Sequence, residues 1–196
     1  RWDIINKLIE KYDYKTYLEI GVQNKVNFNK VNCNVKISVD PDIKAKADYV
    51  ATSDEYFSLG IYKHDIIFID GLHEEEQTTK DILNALERLN KNGAVVVHDC
   101  SPIEEIHQIV PRESKVWNGN VWLSWVRLRN KNYLDMFVVD TDEGCGIIRK
   151  NKSKEKNKEI GRYKSKDQFM WEGLVKNREQ WLNLITVKEF EEWLKH

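Results

Sequence analysis

Apolar positions change their spacing several times along the chain, and each change marks an element. Residues 1–12 set Trp2, Ile5, Ile9 and Tyr12 on one helical face, with Ile4 and Leu8 beside them, which predicts an amphipathic helix. Residues 16–21 predict a first strand that ends in a glycine turn. Residues 35–40 predict a second, stopped by Pro41, and residues 47–52 a short third. The stretch from His64 to Asp70 carries Ile66-Ile67-Phe68-Ile69 without polar alternation, as a strand buried on both faces at the centre of a parallel sheet does.

Beyond His73 the spacing turns helical, with Ile82, Leu83, Leu86 and Leu89 on one face and Glu74, Glu75, Glu76 and Lys80 facing water. Asn92-Gly93 reads as the left-handed cap of that helix. Gly93-Ala94-Val95-Val96-Val97 then predicts a fifth strand. Residues 121–130 predict a helix, with Val121, Trp125 and Leu128 on one face. Residues 133–139 and 145–149 are strands joined by Thr141-Asp142-Glu143-Gly144, a turn short enough to make them antiparallel. Leu174, Trp181, Leu182, Ile185, Phe190 and Trp193 fall into one or two terminal amphipathic helices.

Strands alternating with helices predict an α/β fold, a seven-stranded doubly wound sheet with an antiparallel last strand and extra C-terminal helices. At 196 residues the chain suits a single domain. It would comprise an N-terminal helix at 1–15, a core sheet at 16–150, and a lysine-rich linker with C-terminal helices at 151–196. A net charge of -1 gives no electrostatic reason to expect nucleic acid. The run at 151–158 lacks the interleaved aromatics that stack on bases. No apolar run approaches the length of a membrane span, so no membrane insertion is expected. Three scattered cysteines, Cys33, Cys100 and Cys145, suit a reducing cytoplasm.

Two buried strands deliver ionisable side chains at their carboxyl ends: Asp70-Gly71-Leu72-His73 and His98-Asp99-Cys100. An open α/β sheet builds its active site in that way. Helix capping accounts for one carboxylate, Asp70, but not for two ends that both carry histidines. His64 opens its strand at the opposite end and reads as structural, and His107 reads as solvated. Trp117, Trp122 and Trp125 read as core or lid before sugar platform, although Trp117 and Trp122 flank a glycine loop.

An antiparallel hairpin at the end of the sheet is the plan of class I S-adenosylmethionine-dependent methyltransferases. The segments Tyr17-Leu18-Glu19-Ile20-Gly21-Val22, Val39-Asp40-Pro41-Asp42, Phe68-Ile69-Asp70-Gly71-Leu72-His73 and His98-Asp99-Cys100-Ser101-Pro102 resemble one bacterial group of them. Trp117-Asn118-Gly119-Asn120-Val121-Trp122, the turn Asp140-Thr141-Asp142-Glu143-Gly144 and Asn177-Arg178-Glu179 extend the likeness. The group is similar to sugar O-methyltransferases and is often encoded beside glycosyltransferases. The resemblance implies cofactor contacts from Glu19, Gly21, Asp40 (to the ribose hydroxyls), Ser53 and Asp54 (at the adenine, or as helix N-caps) and Asp70. The chain departs from the group twice. Lys25 stands where the group keeps a second loop glycine, and Gly119-Asn120-Val121-Trp122-Leu123 lacks an acid and a base that relatives carry.

The expected reaction is O-methylation of a small-molecule or glycan acceptor at a sugar hydroxyl, by a chain that acts alone or as a homo-oligomer. A sugar hydroxyl needs a base or a metal to become a nucleophile. Asp70 and Asp99 can converge as hard oxygen ligands, and His73, one turn beyond Asp70, is placed as the base. Metal-dependent relatives carry two consecutive acids at positions 98 and 99. Here His98 occupies the first, and imidazole is a mediocre magnesium ligand. The expected site is therefore either metal-free or one that takes His98 as third ligand and prefers manganese or another transition ion. Two other readings remain: a methyltransferase-like domain that has lost catalysis, and a nicotinamide-dependent Rossmann enzyme. The hairpin end and the missing G-x-G-x-x-G disfavour the latter.

Overall fold

The computed structural model describes residues 1–129, 131, 133–150 and 170–196; the lysine-rich run at 151–158 lies outside them. Seven strands form one mixed sheet in the order β2-β1-β3-β4-β6-β5-β7. They are β1 Thr16–Ile20, β2 Val35–Val39, β3 His64–Ile69, β4 Leu89–Val97, β5 Leu134–Val139, β6 Cys145–Lys150 and β7 Leu184–Ile185. The helices are α1 Trp2–Tyr12, α2 Val26–Lys30, α3 Ser53–Ser58, α4 Glu75–Glu87, α5 Val121–Leu128, α6 Trp171–Leu182 and α7 Val187–Trp193.

By contacts the chain divides into two compact units, Arg1–Leu72 with Glu76–His98, and His73–Glu75 with Asp99–His196. In the first, β1 pairs in parallel with β2 and β3, and β3 with β4. Ile66, Ile67 and Phe68 are fully buried, as an apolar run without alternation requires. Ile4, Ile5, Leu8 and Ile9 are the buried stripe of α1. His64 is buried with its Nε2 3.1 Å from the Tyr56 hydroxyl, and desolvation pulls its pKa down to about 4. It is a structural histidine.

In the second unit, β5 and β6 form the expected antiparallel hairpin. Its core gathers Trp122, Trp125, Val138, Ile147 and Leu182.

Three expectations need correction. Residues 47–52 form no strand; a lone bridge joins Tyr49 to Val39, and the Asp48 carboxylate accepts the Ser38 backbone N–H that a neighbouring strand would have used. The seventh strand is instead Leu184–Ile185, parallel to β5, in a segment read as helical. Asn183 in the left-handed region ends α6, so the chain turns out of the helix two residues before Ile185. Finally, α4 stops at Glu87, not at Asn92. Asn92 does have φ 71°, but inside an irregular β4 whose register with β3 shifts between His64 and Ile66.

Candidate active site

The first unit holds every residue expected to touch a nucleotide cofactor. Gly21 closes β1 at φ 82°, and a Cβ there would lie 2.1 Å from the Asp70 carbonyl oxygen. Only glycine fits, and the tips of β1 and β3 therefore approach closely. Glu19, on β1, is 1% exposed. Its Oε2 accepts from the Tyr17 hydroxyl and from Asn27 Nδ2 of α2. The same amide reaches the Tyr17 oxygen at 3.1 Å. Burial, above all, pushes the Glu19 carboxyl up to about 7; Asp70 adds to the rise, while the two hydrogen bonds and Arg1 oppose it. Glu19 thus ties β1 to α2 through its buried partners Tyr17 and Asn27.

The stability consequence has a definite sign. The unfolded carboxyl ionises near 4.5 and the folded one near 7, so between these values the folded chain binds the extra proton. Stability falls as pH rises through that window and levels off above it. Glu19→Gln, which carries no charge, should exceed the native protein at pH 8 by on the order of 3 kcal/mol and match it near pH 4.5. Urea unfolding at the two pH values measures this; an equal gap at both would refute the assignment.

Lys25 sits at φ 59° immediately before α2. The loop thus keeps the left-handed conformation that a glycine serves in the resembled group, and lysine carries the strain. Its ammonium lies 5.4 Å from the Phe28 ring. A left-handed non-glycine residue costs about 1–2 kcal/mol, and an exposed cation–π contact returns about 0.5. Lys25→Gly should therefore raise unfolding stability by roughly 1 kcal/mol. A fall in the urea midpoint would contradict it.

Asp40 is 8% exposed, and its two oxygens accept the backbone N–H groups of Gln23 and Asp42 at 2.8 Å each. It pins the glycine turn, and a carboxylate offers further lone pairs to hydroxyl groups. Neither Ser53 nor Asp54 caps α3; Thr52 does, with Glu55 completing a capping box. Ser53 Oγ and Asp54 Oδ1 instead lie 3.1 and 3.2 Å from Gln77 Nε2, which also bonds the buried Asp81. Asp70, at the tip of β3, lies 3.4 Å from His98 Nδ1. On its other nitrogen, His98 meets the Arg1 guanidinium at 2.9 Å. Guanidinium only donates, so Nε2 is the acceptor and the proton sits on Nδ1, toward Asp70. Both ring nitrogens are engaged, and His98 has no lone pair to offer a metal in this arrangement.

The second unit holds the other pair. His73 Nε2 lies 3.3 Å from Asp99 Oδ2, and its Nδ1 lies 2.9 Å from the Trp117 carbonyl oxygen. A carbonyl only accepts, so Nδ1 donates, and Nε2 alone remains for proton exchange. The His73 ring stacks on Trp117 at 5.1 Å between centroids. Asp99 is buried at φ 60° and accepts from Asn118 Nδ2 at 2.9 Å. With the imidazole neutral, the two atoms facing each other across 3.3 Å are both acceptors. A proton on Nε2 or a cation could bridge them.

Trp122 is buried against Trp181, and Trp125 is fully buried with its indole N–H on the Leu182 carbonyl. Both are core. His107 is half-buried rather than solvated; its carbonyl accepts the N–H groups of Asn118 and Gly119.

Comparison with known proteins fits this arrangement. A family model for a methyltransferase domain matches residues 35–100. An O-methyltransferase from Bacillus cereus in complex with SAH superposes with TM-score 0.55 at 11% identity, over 75% of this chain and 78% of that one. The fold is that of the Rossmann-like methyltransferases. The SAH-bound methyltransferase PaMTH1 of Podospora anserina gives TM-score 0.56 at 13% identity, covering 76% of this chain and 77% of that one. TomG of Streptomyces achromogenes, an O-methyltransferase of tomaymycin synthesis in complex with SAM, gives 0.54 at 12%, covering 75% and 78%. No curated protein matches the chain in sequence.

Proposed function

We propose that the chain is an S-adenosylmethionine-dependent O-methyltransferase acting on a sugar hydroxyl of a glycan or glycan precursor. The observation that carries this reading is the His73–Asp99 pair. With Nδ1 donating to the Trp117 carbonyl, the neutral ring offers Nε2 as an acceptor to a substrate hydroxyl, and Asp99 Oδ2 lies 3.3 Å from that nitrogen. S-adenosylmethionine, when bound, would supply a sulfonium methyl group; the acceptor oxygen would bond to its carbon as the C–S bond breaks and S-adenosylhomocysteine leaves. His73 takes the proton at Nε2, its Nδ1 staying on the Trp117 carbonyl. Asp99 balances the charge that the ring then carries. Glu19, Gly21, Asp40, Ser53, Asp54 and Asp70 are the proposed cofactor side, and the solved neighbours that hold SAH or SAM support it.

A divalent cation is compatible with the same residues. His73 and Asp99 could offer it Nε2 and Oδ2, 3.3 Å apart, and Asp70 is the third ligand expected from the sequence. What supports including Asp70 is connectivity: it precedes His73 by three positions, and its partner His98 is bonded to Asp99. The ion would polarise the acceptor oxygen. The glycan preference rests on the ordered motifs from Tyr17 to Arg149. A cytoplasmic setting is supported by Cys33, Cys100 and Cys145, none of which is in a disulfide. No helix among the described residues is long and apolar enough to cross a membrane.

Calorimetry with S-adenosylhomocysteine tests the cofactor, and labelled methyl transfer to a panel of nucleotide sugars and lipid-linked saccharides tests the acceptor. Failure to bind at millimolar cofactor would sink the enzyme reading. Transfer to a catechol panel in place of sugars would overturn the glycan assignment alone.

A further inference from the structure

Four consecutive residues, Trp117-Asn118-Gly119-Asn120, each hold one part of the His73–Asp99 pair. Trp117 gives its carbonyl to His73 Nδ1 at 2.9 Å and stacks its ring on the imidazole. Asn118 donates from Nδ2 to Asp99 Oδ1 at 2.9 Å and to Glu143 Oε2 at 3.3 Å. Gly119 stands at φ 57°, where a Cβ would lie 1.8 Å from the His73 carbonyl oxygen. Asn120 donates its backbone N–H to that same oxygen at 3.1 Å, and its side chain accepts from the Glu75 N–H. The segment is itself tied down, because the N–H groups of Asn118 and Gly119 both end on the His107 carbonyl.

The orientation of the Asn118 amide follows from chemistry. Both its neighbours are carboxylates, which only accept when ionised, so the NH2 group must face them and Oδ1 must face away. Asn118 is fully buried, and Oδ1 has no hydrogen-bond donor. A buried orphan acceptor costs about 1–3 kcal/mol. An apolar side chain of the same shape would avoid that cost. The amide is accounted for if its two donors do something for the Asp99 carboxylate that leucine could not.

We propose that Asn118 is a positioning residue for the methyl-transfer site. Its amide, oriented by Glu143, holds the Asp99 carboxylate so that Oδ2 stays on His73 Nε2, while Trp117 and Gly119 fix the imidazole from its other side. The segment's task is to set the pair's geometry rather than to touch the acceptor. The inference rests on the proposed site, but its test does not need an acceptor.

The experiment follows the ring signals of [13C]histidine in the full chain treated with chelator, assigned by loss of the His73 peak in His73→Gln. Stacking on Trp117 displaces the His73 ring protons by ring current in the native protein. In Asn118→Leu, the His73 signal should lose most of that displacement and broaden, while the buried His64 signal stays in place and reports an intact fold. If Asn118→Leu does not fold, Asn118→Ser, too short to reach Asp99, carries the same test. An unchanged His73 signal in a folded variant overturns the proposal. Calorimetric binding of S-adenosylhomocysteine to the same samples keeps the two ideas apart. Native protein that fails to bind removes the cofactor reading, whereas the His73 signal alone decides the role of Asn118.

Discussion

Gly21→Ala is expected to cost about 3 kcal/mol or more and to abolish measurable binding of S-adenosylhomocysteine at concentrations that saturate the native protein. Two causes add. Alanine at φ 82° is strained in its own backbone, and its Cβ would overlap the Asp70 carbonyl, 2.1 Å away. That carbonyl cannot swing aside, because the Asp70 N–H is bonded to the Ile20 carbonyl and the Gly21 N–H to Val39. Relief requires the tips of β1 and β3 to part, which displaces the turn that Asp40 pins. Gly71→Ala is the matching control. A Cβ at Gly71 meets nothing nearer than Ile20 Cγ2 at 3.5 Å, an ordinary contact. The two glycines look alike in the sequence, one after each strand, yet only the first is required by its backbone. Chemical denaturation and calorimetry on both variants measure the difference. A Gly21→Ala protein as stable as Gly71→Ala would show that the strand tips are not held as described.

The contrast between those glycines shows where the sequence is legible. Ile66 to Ile69 announce a doubly buried strand because burial on both faces admits no polar residue. The hairpin is legible because four turn residues leave the chain no other way back. Asp70, His73 and Asp99 are legible because ionisable groups directly after buried strands have few structural uses. Residues 47–52 misled because their apolar content suits a strand, but Asp48 satisfies the Ser38 backbone with a side chain, which no sequence pattern reports. Leu184–Ile185 was hidden by its length: two residues contribute no pattern, and only the left-handed Asn183 marks the exit from α6. Asn118 and Asn27 were the least legible. Each is a buried amide whose meaning comes from carboxylates 8 to 25 positions away, and no spacing rule singles out such an amide. Lys25 is the reverse case. It looked like a broken glycine loop, and the backbone kept the glycine conformation regardless.

His73→Ala should reduce methyl transfer by about 10²–10⁴-fold in kcat, the usual range for a lost general base, and leave S-adenosylhomocysteine affinity within about twofold. The split is expected because all the cofactor candidates lie on β1, β2, α3 and β3, whereas His73 bonds to Trp117 and Asp99. A parallel loss of cofactor affinity would assign His73 to binding instead. The native protein offers a second measurement on the same gap. Nε2 and Oδ2 lie 3.3 Å apart with Nδ1 already committed as a donor, and either a proton or a cation could be the centre that bridges them. If that centre is a proton, chelator leaves turnover unchanged, and His73→Ala loses the base outright. If it is a cation, chelator lowers turnover as far as His73→Ala does, and added Mn²⁺ restores the native protein but not the variant. The second outcome would also bring Asp70 into the reaction, since two ligands from His73 and Asp99 leave a divalent ion short of oxygen donors. Asp70→Asn would then weaken Mn²⁺ rescue while sparing the His73–Asp99 contact. The chelation result thus decides whether the carboxylate at the tip of β3 serves the cofactor alone or the acceptor as well.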